Sequence, residues 1–108
     1  MLYSSFGDIM SEDPLNILKS LDAEFLRKIE NDRDFTFADG ALPRKYKLLV
    51  AMALDASVGA VEGVRALSKL AMDAGATKEE ILEVLRVVNY VSGVGSTYAA
   101  ANALKDIL

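Results

Sequence analysis

From Pro43 onward the apolar residues of this chain recur at steps of three and four, and no stretch shows the two-residue alternation of a half-buried strand. That period draws one apolar stripe along each segment, the pattern of a helix laid against a core. Proline and glycine mark where the segments start and stop. Asp13-Pro14 reads as an N-cap followed by proline at the first helical position. Leu18, Leu21, Phe25 and Ile29 then place one stripe on an N-terminal helix over residues 13–30, with Glu24 and Lys28 paired on its other side. Asn31 to Ala41 loses the period, is rich in aspartate and holds the turn dipeptide Asp39-Gly40, so it reads as a surface connection.

Pro43 opens a second helix that runs to about Val58. Its residues Leu48 to Leu54 are apolar on every side, which predicts a central, buried helix. Past Gly59 a third helix runs from Ala60 to about Ala74, with Val61, Val64, Leu67, Leu70 and Ala74 on its apolar face. Its polar stripe is Glu62, Arg65, Lys69 and Asp73, and Gly75 supplies the stop. Thr77-Lys78-Glu79-Glu80 has the spacing of a capping box, and the helix it starts continues through Val91. Ser92 to Ser96 breaks that helix, and an alanine-rich helix from Thr97 to Ile107 follows, able to approach a neighbour closely. The expectation is an all-α, compact bundle of about five helices, a single domain spanning residues 1–108.

Composition narrows the chemistry. The chain has no cysteine and no histidine. Disulfides, thiol nucleophiles, zinc fingers and Ser-His or Cys-His triads are therefore excluded. A net charge of −4 and a pI near 4.7 argue against nucleic acid and anionic membranes as partners. Met1 to Ser11 carries Asp8 and no basic residue, unlike a secretory leader, and the run Leu48 to Leu54 is too short to span a bilayer. A cytoplasmic protein is expected. Hydrophobic residues make up 52% of only 108 residues, which predicts that part of the surface is covered by another subunit.

Few constellations suggest a site. Gly93-Val94-Gly95 lacks the strand, third glycine and lysine of a phosphate loop and reads as a turn. Glu79, Glu80 and Glu83 suit a helix N-terminus better than a cation, so neither a metal nor a cofactor is expected. Arg65 and Lys69, one turn apart, have the spacing to hold a small carboxylate. Equally, Glu62–Arg65 and Lys69–Asp73 have the spacing of surface ion pairs. Tyr90 and Tyr98 flank the glycine turn, either as hydroxyls offered to a pocket or as half-buried structural residues.

Leu48 to Leu54, Gly59, a helix, and then the block GATKEEILEVL with a later AAANAL resemble the carboxymuconolactone decarboxylase and alkylhydroperoxidase D family over residues 42–104. The resemblance implies an all-α, alkylhydroperoxidase D-like bundle that assembles into trimers or hexamers. It also implies positions for a CxxCxxxH motif and a proton-relay glutamate. Here those positions hold Ala60, Gly63, Leu67 and Leu48, none of them ionisable. Without a thiolate no peroxide nucleophile exists. Two readings follow: a non-catalytic or divergent homo-oligomer, or a decarboxylase-like enzyme or binder of a small carboxylic acid. The second would use Arg65 and Lys69 to hold the acid, with Glu62 or Tyr98 moving the proton.

Overall fold

A computed structural model describes residues 13–108. The leaderless reading of Met1 to Ser11 concerns residues outside that range. A 3-10 turn over Pro14–Ile17 leads into six α-helices, α1 (Leu18–Leu21), α2 (Ala23–Phe37), α3 (Arg44–Ser57), α4 (Val61–Asp73), α5 (Lys78–Ser92) and α6 (Val94–Leu104). The described residues contain no strand.

The helix ends follow local chemistry. The Asp13 carboxylate accepts from the Leu15 amide at 3.0 Å, with Pro14 following as expected, although the turn it starts is 3-10. Thr77 and Glu80 form the capping box in full: the Glu80 amide donates to the threonine hydroxyl at 3.1 Å, and the Thr77 amide donates to the Glu80 carboxylate at 2.8 Å. At the end of α4 the Ala76 amide donates to the Ala71 carbonyl and the Gly75 amide to that of Met72. This double return needs a left-handed residue between, and Gly75 sits at φ 104°.

The N-terminal helix expected over residues 13–30 is in fact two. Asp22 leaves the helical region (φ −159°, ψ 77°), and its carboxylate caps α2 by accepting from the Phe25 amide. The break turns the apolar stripe: Leu26 is buried while Leu21 and Phe25 are exposed. The connection expected from Asn31 is helical through Phe37, because its aspartates sit on exposed or half-buried positions where they cost the helix little. At the other end, α6 starts at Val94 instead of Thr97 and stops at Leu104 instead of Ile107. One glycine in the left-handed region, Gly93 at φ 92°, is enough to separate α5 from α6.

The core is one cluster drawn chiefly from α3, α4, α5 and α6. Leu48, Met52, Val64, Leu70 and Ile81 are fully buried, each contributing roughly 1.5–3 kcal/mol by leaving water. α3 and α4 pack along one another, and α6 lies on α4, α5 and α3. Ala100 and Ala103 supply the small side chains at that contact and are buried. The expectation that α3 is buried all round needs correction. Leu48, Leu49, Met52 and Ala56 face inward, but Tyr46, Val50 and Leu54 are exposed, because no helix among the described residues covers that side.

Candidate functional site

Leu48 and Asp55 lie seven residues apart on α3, with Met52 between them on the same inward face. Across from them, α4 starts at its N-cap Ala60 and carries Gly63 in its first turn, with Leu67 and Ser68 one turn further on. Leu48, Ala60, Gly63 and Leu67 among these are the four positions that the resemblance equates with reacting groups, and the structure places the side chains of two of them, Leu48 and Leu67, in the apolar core. Leu48 is 0% and Leu67 9% exposed, and both belong to the cluster that contains Met52 and Val64. The burial of Leu67 expected from the apolar stripe of α4 is borne out. Ser68 is also fully buried, and its hydroxyl has no hydrogen-bond partner among the described residues.

Gly63 has a neighbour that the sequence pattern did not disclose. A Cβ built on Gly63 would fall inside the Asp55 carboxylate, so the aspartate tip fills the space that any side chain at position 63 would take. Among the described residues that carboxylate has no side-chain hydrogen bond and no ion pair. Burial alone pushes the Asp55 carboxyl above its ordinary range. The clue was available in outline: Asp55 continues the inward face of Leu48 and Met52, and a glycine stands opposite it.

The upward shift at Asp55 sets the sign of a pH effect. In the fold the carboxyl prefers its neutral form, so its contribution is most favourable below the unfolded-state value. That contribution is lost as pH rises through the higher folded-state value. Asp55→Asn should therefore gain stability relative to the native chain as pH rises from the ordinary carboxylate range, and the gain should level off once pH passes the raised folded-state value. Urea denaturation from pH 3 to pH 7 measures it, and a difference that does not change with pH would contradict it. Glu80 acts in the opposite sense. The Thr77 amide and then Lys45, at 3.2 Å, lower its carboxyl below the ordinary range, so the stability it adds fades as pH falls through that lowered value.

The candidate acid-binding residues are dispersed. Arg65 turns to the end of α6, where its guanidinium donates to the Ala103 carbonyl at 3.2 Å and pairs with Asp106 at 3.7 Å. The ion pairs Glu62–Arg65 and Lys69–Asp73 do not form; Arg65 is engaged instead by the Ala103 carbonyl and the Asp106 carboxylate. Glu62 is exposed and Lys69 half-buried, neither with a side-chain hydrogen bond or ion pair among the described residues. Tyr98 is 75% exposed and Tyr90 91%, not half-buried, since the face shared by α5 and α6 is uncovered. Glu79, Glu80 and Glu83 do not gather into a metal site, and no group of three such ligands exists among the described residues.

Three surface clefts are formed by other residues. One of about 320 Å³ lies between the end of α2 and α3, lined by Phe37, Leu42, Val50 and Leu54 among others. A second, of about 300 Å³, lies between α3 and α5 at Tyr46, Leu49, Val50, Ala53, Val84 and Val87. The third, also about 300 Å³, is lined by Leu82, Leu85, Arg86, Asn89 and Thr97. Glu62, Arg65, Lys69 and Tyr98 line none of these three. No helix of the described residues is long and apolar enough to cross a membrane.

A bundle of this helix order, with its core between α3 and α6, defines an all-α class that comparison makes specific. Residues 23–106 match the model of the Carboxymuconolactone decarboxylase family, and the chain belongs to that family. The crystal structure of apo-lpg0406, a carboxymuconolactone decarboxylase family protein from Legionella pneumophila, superposes with a TM-score of 0.80 at 29% identity, covering 95% of this chain and 90% of that one. A curated relative, the uncharacterized protein MJ1511 of Methanocaldococcus jannaschii, is 27% identical over 101 residues, 94% of each chain.

Proposed function

We propose that this chain is a non-catalytic, cysteine-free member of its family that works in the cytoplasm as a homo-oligomer, not as a thiol peroxidase. The observation that supports this reading is the burial of Leu48 and Leu67 in one apolar cluster, at positions where a reacting site needs ionisable groups open to substrate. With Asp55 seated against Gly63, the remaining motif position inside the helix is filled as well. An assembly role agrees with the large exposed side chains on α3, α5 and α6.

Light scattering at micromolar concentration should report three times the chain mass of 11.7 kDa, or a multiple of that. A mass near 11.7 kDa would contradict the assembly. In a thermal-shift series with small carboxylates such as benzoate and succinate, the melting temperature should stay constant. A rise that Lys69→Ala abolishes would instead establish the chain as a binder of small carboxylic acids.

A further inference from the structure

Leu82, Leu85, Arg86 and Asn89 recur at steps of three and four along one face of α5, and Thr97 meets them from the first turn of α6. Together they line a cleft of about 300 Å³, at the small end of the range for ligand sites. Its lining is of two kinds: two leucine side chains, and a guanidinium, an amide and a hydroxyl. We propose that this cleft binds a phosphate monoester with a small apolar substituent, the phosphoryl group on Arg86 and Asn89 and the substituent against Leu82 and Leu85. The site goes beyond the assembly reading above and does not depend on it.

Charge and donor count select this occupant. Arg86 has no ion pair and no hydrogen bond among the described residues, Glu83 one turn before it included. The cations near the other two clefts are already engaged, Lys47 with the carbonyls of Thr36 and Ala38 at 3.0 and 2.7 Å and Lys45 with Glu80 at 3.2 Å. An anion is therefore the complement of the Thr97 cleft. The Thr97 hydroxyl donates to the Asn89 carbonyl oxygen at 2.9 Å, which leaves the Asn89 amide nitrogen with both hydrogens to give. An arginine fork offers two parallel N–H groups, enough for the two oxygens of a carboxylate. A third donor beside it, held in orientation by Thr97, suits a head with three terminal oxygens. α6 begins at Val94, within a turn of Thr97, and no side chain caps it, so the positive end of its dipole adds charge of the same sign.

Calorimetric titration of the purified protein with phenyl phosphate tests the site. Saturable binding is expected, tighter than that of inorganic phosphate, which lacks the apolar part. Benzoate, with the same ring but without the third oxygen, should not bind measurably. Arg86→Ala, a change at an exposed position, should keep the helical circular dichroism and weaken phenyl phosphate by about tenfold or more. Asn89→Asp replaces the amide donors by a carboxylate of the same shape and should weaken it comparably. Lys28→Ala removes the same charge from the exposed side of α2 and should leave the affinity unchanged. No binding of phenyl phosphate, or binding that Arg86→Ala leaves intact, would overturn the site. Equal affinity for inorganic phosphate or for benzoate would overturn the class of ligand.

Discussion

Leu48→Glu is expected to destabilise the fold by about 3–5 kcal/mol at neutral pH, the magnitude of leaving one charge buried without a partner. The substitution restores the glutamate implied at this position by the family resemblance. In this chain it would put a carboxylate among Met52, Val64 and the other side chains of the apolar cluster. Leu48 is fully buried, and no cationic side chain belongs to that cluster. Burial would raise the new carboxyl's folded-state value. The loss should then shrink as pH falls below that value and grow as pH rises through it. Urea denaturation at pH 7 and at pH 4 measures both features. A loss below about 1 kcal/mol at pH 7 would mean that position 48 opens to water.

The second large effect is at Leu67. Leu67→Ala should cost about 2–5 kcal/mol, because the side chain packs in a dense cluster that relaxes only partly around the space left. Leu67→His should do comparable harm. It loses the same packing and adds about 1–3 kcal/mol for an imidazole that finds no hydrogen-bond partner. That variant should also weaken further on acidification, since a buried neutral imidazole has a lowered folded-state value and the unfolded chain takes up the proton first. Equilibrium denaturation separates a core position from a pocket position. A pocket residue would tolerate both changes within about 1 kcal/mol.

What the sequence disclosed follows the range of the interactions. Thr77 with Glu80, Asp13 with Pro14, and Gly75 after α4 all act within a turn, and each was legible where it stood. The inward face of α4 was equally plain from the spacing of Val64, Leu67 and Leu70, all buried. Asp22 was not legible as a break, because an aspartate inside an unbroken apolar period gives no sign that its carboxylate will cap the next segment. The exposure of Tyr46, Val50 and Leu54 was hidden for a different reason: an apolar run reads the same whether its outer side meets another helix or another molecule. The candidate site failed to be legible over distance. Arg65 reaches a carbonyl 38 residues away, and Asp55 meets Gly63 only because α3 packs along α4.

In this chain Leu48 and Leu67 pack in the core, where the family resemblance implies reacting groups. Hydroperoxide consumption by the purified wild-type protein, with cumene hydroperoxide as oxidant and dithiothreitol as donor, tests whether any thiol-type chemistry survives. With no thiolate to attack the peroxide, the rate should equal that of buffer and donor alone. Turnover well above that background, proportional to protein and lost when the protein is removed, would contradict the account.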